Sequence, residues 1–157
     1  MRIVSSVALR SIFVFSAFVI GLSASLAVAG QTNAEKIGRF VKASEYEAKT
    51  LSPQVWTIQR PNGTLLIAVN EDVVVAGMVI AQKAEFQLTA ASARDMLKLA
   101  HTLDYLKIGL DDDDDLFLRA ECKIGPLVQS EFNDVLGRVA RGSVTAQTAI
   151  RPYLIKK

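Results

Sequence analysis

The most conspicuous chemical feature of the sequence is a run of five aspartates, Asp111 to Asp115. Carboxylates at 111, 113 and 115 imitate the first three ligands of a calcium loop, which also needs glycine at its sixth place and a bidentate glutamate at its twelfth. Leu116 and Cys122 occupy those places. The run therefore reads as an acidic β-turn whose charge discourages edge-to-edge association, with weak calcium binding as the alternative. Zinc takes three or four ligands, and one histidine (His101) with one cysteine (Cys122) falls short of that. His101 has no orienting partner in sight and reads as a surface or boundary residue. Nucleophilic catalysis asks for Ser or Cys beside His with a third group to orient it. No serine sits in a nucleophile-elbow pattern, and the glycines are scattered singly, without a phosphate-cradling loop. Asn62-Gly63-Thr64 fits a glycosylation sequon, but a hairpin turn accounts for it. The residues argue for no catalytic centre, no metal and no cofactor.

Charge and hydropathy speak to partners and compartment. The formal net charge of the 157 residues is +2, yet Arg2 and Arg10 lie in an N-terminal segment of targeting character. Without them the basic and acidic residues balance, so no basic stripe calls for nucleic acid. No charged residue occurs between Arg10 and Glu35, and residues 11–20 are strongly apolar. Ala27-Val28-Ala29 then offers the small-x-small pattern of signal-peptidase cleavage, with Gly30 as the new first residue. An uncleaved membrane anchor is the alternative, since about 20 apolar residues can span a bilayer. Small and hydroxyl residues in the second half of the stretch favour cleavage. Either way the folded part is exported, with the periplasm of a Gram-negative bacterium as the expected compartment. With one cysteine, no intramolecular disulfide supports the fold there. Cys122 can bridge two chains, carry chemistry, or serve as a small buried hydrophobe, and its strand context points it inward.

The elements follow from periodicity and punctuation. Thr32 and Glu35 have capping-box spacing, and a helix is predicted over 33–47. Three strands come next: 55–59, 65–69 and 73–81, joined by turns at Arg60-Pro61-Asn62-Gly63 and Asn70-Glu71-Asp72. The third is apolar on both faces, as befits a central or doubly covered strand. Thr89 caps a second helix with Ala93, Met96, Leu97, Ala100 and Leu103 along one stripe. The period then switches to two in 105–110 and 116–122, a hairpin around the aspartates with Leu116, Leu118 and Cys122 on its inner face. Ser130 opens a third helix carrying Phe132, Val135, Leu136 and Val139, with Gly142 as its expected C-cap. The predicted fold is α+β, one antiparallel sheet with helices, in the order α-β-β-β-α-β-β-α. Residues 1–29 form the targeting segment, 30–142 the domain, and 143–157 a tail with room for a short helix before Pro152.

The segment Leu97 to Leu110, followed by the acidic turn and Leu116-Phe117-Leu118-Arg119-Ala120-Glu121, resembles the YbjN-like family of sensory-transduction regulators. Ser130-Glu131-Phe132 matches the acidic-Phe opening of its later helix, and the likeness extends over about residues 35–141. That family shares its fold with class I type III secretion chaperones. The resemblance implies the same element order, a homodimer, and a protein that binds polypeptides without turning over substrates. Two departures stand out: the secretion chaperones are cytosolic and acidic, whereas this chain is exported and neutral once processed.

Two surfaces are expected to matter. On the third strand Val74, Ala76, Met78 and Ile80 share one face, and Val73, Val75, Val79 and Ala81 the other. Helices on one side only would leave one row in water, at about 1.5–3 kcal/mol per large side chain. Val74, Met78 and Ile80 are therefore assigned to a row covered by a second copy or partner, unless the first helix or the tail folds across it. On the hairpin, alternation sets Tyr105, Lys107, Phe117, Arg119 and Glu121 on the outer face. They are either an aromatic and charged anchor for a polypeptide partner or an ordinary cross-strand cluster. The function expected is that of an exported, non-enzymatic, chaperone-like binding domain, with an envelope protein acting only through self-association as the alternative.

Overall fold

The computed structural model describes residues 27–155. The targeting segment predicted at 1–29 lies outside them but for its last three residues. Among the described residues no helix is long and apolar enough to cross a membrane.

Helix α1 spans Ala27–Ala43, strand β1 Ala48–Ser52, β2 Val55–Arg60, β3 Gly63–Asn70 and β4 Val73–Ala81. A 3-10 turn at Lys83–Glu85 leads to α2, Ala90–Thr102, then β5 Lys107–Leu110, β6 Leu116–Lys123 and α3 Gln129–Ile150. The six strands form one antiparallel sheet in the order β1-β2-β3-β4-β6-β5. The architecture is the expected α+β sheet under helices, with one more strand than predicted.

The first helix stops at Ala43, four residues short of its predicted end, and the extra strand, β1, follows at 48–52, a stretch to which periodicity assigns no element. The sequence Ala-Lys-Thr-Leu-Ser alternates in nothing and is largely exposed, because β1 is an edge strand held by its register with β2. At the other end, α1 already runs through Thr32, which is therefore not its N-cap. Ile37 and Val41 bury the inner face of α1. Lys36 ties it down by donating to the carbonyls of Ile124 and Gly125 at 2.7 and 3.0 Å.

The two predicted turns hold. Gly63 sits at φ +138°, open to glycine and strained for other residues, and Glu71 adopts φ 54° at the second turn. The β2–β3 turn is also clamped from above. Asn62 donates to Ser143 Oγ at 2.6 Å, and Gln147 donates to the Asn62 carbonyl at 2.8 Å. The sequon asparagine is thus a half-buried structural contact.

Two helix assignments change. In α2 the buried stripe is Ser92 and Leu99 with Met96 and Leu103 half-buried, so Leu97, at 74% exposure, is turned outward. Thr89 does cap α2, exchanging bonds with Ser92 at 3.1 and 2.8 Å. In α3 the predicted core residues Phe132, Val135, Leu136 and Val139 are buried, but the helix does not stop at Gly142. It continues to Ile150, absorbing most of the predicted tail. Gly142 is needed for contact instead: a Cβ there would stand 2.4 Å from Leu106 Cδ1 and 3.0 Å from Leu118 Cδ2. After α3, backbone bonds from Gln87 to Tyr153 (3.0 Å) and from Ile155 to Glu85 (2.9 Å) strap the C-terminal segment to the connection that precedes α2. Tyr153 Oη donates to Asp95 Oδ2 at 2.5 Å.

All three helices lie on one side of the sheet. The contact of α1 with Trp56 through Gly38 and of α3 with Leu118 through Gly142 falls on a single set of register-linked rows. That side contains the core. Val74, Met78 and Ile80 belong to it, at 1%, 2% and 7% exposure. They are indeed covered, but by helices of their own chain, so they are not the surface left for a second copy. The other row of β4, Val73, Val75, Gly77 and Val79, is half-exposed and has no helix over it. Ala81 leaves that row because a bulge after Val79 turns it into the core opposite Leu116.

A candidate protein-binding face

In a strand pair, directly opposed residues project to the same side, so the register lays out the helix-free face without ambiguity. Four levels cross it. Val79 stands beside Phe117. Leu66, Gly77 and Arg119 share the next level, with Lys107 of β5 beyond Arg119. Ala68, Val75 and Glu121 share the third, and Asn70, Val73 and Lys123 the fourth. The centre is an apolar band along β3 and β4, and the β5–β6 side is a charged rim.

The rim is internally paired. Glu121 accepts from Lys107 Nζ at 2.5 Å and pairs with Arg119 Nε at 2.8 Å. The Arg119 guanidinium lies 5.1 Å from the Phe117 ring centroid, within cation–π range. The hydrogen bond from Lys107 is the main cause that holds the Glu121 carboxyl below its ordinary range, aided by Arg119 and opposed by partial burial. Lys107, Phe117, Arg119 and Glu121 are thus gathered on one face, as alternation predicts.

Tyr105 is not with them. It precedes β5 at φ 61°, is 84% exposed, and stacks under the guanidinium of Arg138 on the helical side, 5.1 Å from the ring. The left-handed backbone at Tyr105 breaks the alternation that would have carried it to the Phe117 face. Val75 and Val79, in the apolar band beside the rim, belong to one of the two apolar rows read on β4, but alternation alone does not say which row the helices cover, and the sequence places Leu66 in neither.

The acidic turn proves to be built, and not merely solvated. The Asp111 carboxylate accepts from the amides of Asp113 and Asp115 at 3.0 and 2.9 Å, closing the turn. Asp115 is buried and accepts from the Lys83 amide at 2.8 Å, while Asp114 pairs with Lys83 Nζ at 2.6 Å. The hydrogen bond to Asp114 raises the Lys83 ammonium above its ordinary value. Among the described residues no group of three or more His, Cys, Asp and Glu side chains has metal-holding geometry.

Cys122 sits on the core side of β6, half-buried, at the wall of an open cleft of about 400 Å³ with Glu131, Asp134 and Arg138 of α3. Burial pushes its thiol up, outweighing the opposing pull of Arg138. A raised thiol holds little thiolate at neutral pH. His101 is exposed on α2. The cleft therefore offers shape without an activated nucleophile.

No family model and no curated protein matches the sequence. Solved structures do. YbjN from E. coli aligns with a TM-score of 0.59 at 13% identity, over 78% of this chain and 95% of that one. A chain of the heterodimeric ExoU–SpcU complex of the Pseudomonas aeruginosa type III secretion system aligns at 0.53 and 17% identity, over 79% and 96%. An uncharacterized protein from Methanothermobacter thermautotrophicus gives 0.54 and 13%, over 76% and 97%. The fold is the one the resemblance implies, shared by YbjN and type III secretion chaperones.

Proposed function

We propose that this chain is an exported, periplasmic, non-enzymatic binding domain that self-associates and takes polypeptide partners through the helix-free face of its sheet. The observation that carries the reading is that face itself: an apolar band, wide enough for protein contact, edged by Phe117, Arg119, Glu121 and Lys107. Apolar area with an aromatic and arginine at its border is the composition of protein interfaces. A neighbour of the same fold occurs in a heterodimeric complex with a protein, which supports the binding class. The charge-free stretch before Glu35 and the Ala27-Val28-Ala29 pattern support export with cleavage before Gly30.

The test is capture from envelope extract by the parent and by a Phe117→Ser, Arg119→Ala variant whose circular dichroism matches the parent. The variant should lose the proteins the parent retains. Retention of the same set would remove this face from consideration. The intact mass of the protein recovered from the periplasm should correspond to a chain starting at Gly30, and a longer chain would refute cleavage there.

A further inference from the structure

We infer that the open stretch of the β6 edge, residues 120–123, takes an extended polypeptide segment as a further strand, with one aliphatic side chain of that segment seated in the cleft beside Cys122. This is a second site, apart from the helix-free face, and it stands or falls independently of the function proposed for that face.

The observation is where β5 stops. Its pairing with β6 runs from Leu110 opposite Leu116 to Lys107 opposite Arg119 and ends there. The chain enters β5 from α2 through a tight turn, with the Leu106 amide bonded to the Leu103 carbonyl at 3.4 Å and Tyr105 at φ 61°. It therefore cannot continue backwards along β6. On its other side β6 stays paired with β4 as far as Val73 opposite Lys123. Among the described residues no strand lies against 120–123 on the side away from β4. Alternate residues of an antiparallel strand turn both N–H and C=O to the same edge, so two of these four residues present a donor and an acceptor to the open side. An extended backbone supplies partners at that spacing.

The surroundings of the edge give the segment its side-chain preference. A strand added antiparallel to β6 sets its residues opposite Lys123, Cys122 and Glu121 in turn, each projecting to the same side as its opposite number. The residue opposite Cys122 therefore points to the helical side, into the cleft of about 400 Å³ between β6 and α3. Leu127 and Val135, both buried, line that cleft, so it suits an aliphatic side chain. The residue opposite Lys123 lies on the helix-free side. Lys123 is exposed and reaches Asp72 only at 4.0 Å, so it selects an acidic residue there. Glu121 is already held by Lys107 and Arg119 and asks for a neutral one. Charges on an open edge commonly repel stray strands, but with Glu121 neutralised within the chain only Lys123 is left to discriminate. The far end of the added strand meets Tyr105, which is 84% exposed and stacked on Arg138, itself part of the cleft wall. An exposed aromatic beside an arginine is a favoured anchor for a protein partner. The occupant is thus an unstructured stretch of another protein with an acidic–aliphatic–neutral pattern.

The test titrates the peptide acetyl-Ser-Glu-Val-Thr-Ser-amide into isotope-labelled protein expressed from its full sequence and follows the backbone amide resonances. Saturable shifts should centre on residues 120–123 and Tyr105, with a dissociation constant of about 1 mM or tighter. Two analogues, N-methylated on alternate residues in opposite phase, separate strand pairing from cleft filling. One should bind at least about tenfold more weakly and the other within about threefold of the parent peptide, because only one set of amides faces β6. Lys123→Glu, at an exposed position, should weaken the peptide roughly threefold, and a peptide with Lys in place of Glu should recover the loss. No saturable shift up to about 5 mM overturns the site. Shifts confined to the helix-free face or to β1 overturn it too, and leave the function proposed for that face standing. Analogues that weaken equally, or not at all, overturn strand addition. A charge exchange that fails to recover overturns the register.

Discussion

Replacing Gly142 by alanine tests the contact that brings α3 onto the sheet. In an exposed helix interior, Gly→Ala stabilises by about 0.5–1 kcal/mol through backbone entropy. At Gly142 the new Cβ would stand 2.4 Å from Leu106 Cδ1 and 3.0 Å from Leu118 Cδ2. Leu106 is half-buried and can yield, but Leu118 is fully buried in the sheet. Overpacking of this kind costs about 1–3 kcal/mol. The net expectation for Gly142→Ala is a loss of about 1–2 kcal/mol, which for a domain of this size lowers the melting temperature by about 3–8 °C. Gly137 on the same helix supplies the control. Its added Cβ would meet only the far end of Arg141 at 3.2 Å, so Gly137→Ala should stabilise by about 0.5 kcal/mol. The assay is urea and thermal denaturation followed by circular dichroism for both variants, and for Gly142→Ala in a Leu106→Ala background. Removing Leu106 opens the clash, so Gly142→Ala should there cost at least 1 kcal/mol less. Opposite signs at 137 and 142 with that coupling support the packing. A Gly142→Ala protein as stable as the parent, or a cost unchanged by Leu106→Ala, would refute it, the second being what a simple helix C-cap produces.

Asn62→Ala removes the bond to Ser143 at the clamped β2–β3 turn and should cost about 1 kcal/mol in urea denaturation, and a neutral outcome would mean the clamp is idle. The Tyr153 hydroxyl is the main cause that depresses the Asp95 carboxyl, so its stabilisation is complete above the ordinary carboxylate range and fades as pH falls through the depressed value. Tyr153→Phe should therefore flatten the acid limb of the stability profile between those two points, and an unchanged limb would count against the strap. Burial holds the Cys122 thiol up, so maleimide labelling of the native protein at neutral pH should be much slower than in urea, and equal rates would restore a reactive cysteine to the discussion.

The parts of the fold legible in the sequence are those where local chemistry decides. The strands of the β2–β3–β4 meander declare themselves by β-branched runs between Arg60–Gly63 and Asn70–Asp72, and α3 by the spacing of Phe132, Val135, Leu136 and Val139. β1 was illegible because an exposed edge strand has no buried face to impose a pattern. Gly142 reads in the sequence as a helix terminator, and only the position of Leu118 across the interface makes it a point of close approach. The same holds for the helix-free face. Alternation sorted Lys107, Phe117, Arg119 and Glu121 together correctly, yet it has no sign: it cannot tell Val74 from Val75 until the helices take a side. Tyr105 escaped because a single left-handed residue resets the parity of everything before it.

The joint between β4 and β6 has a consequence for the order in which the molecule is made. β1 to β4 close through turns of a few residues, whereas Val73 must find Lys123 and Ala81 must find Leu116 across the whole of α2 and the second hairpin. Contacts of that sequence separation are the slow ones in folding. A chain that is synthesised or threaded through a membrane N-terminus first presents its meander complete while β6 is still to come. During that interval one long edge of β4, apolar on both faces, has no neighbour. It is the moment at which the nascent chain is most prone to pair with the wrong strand, and the point where a folding helper would act.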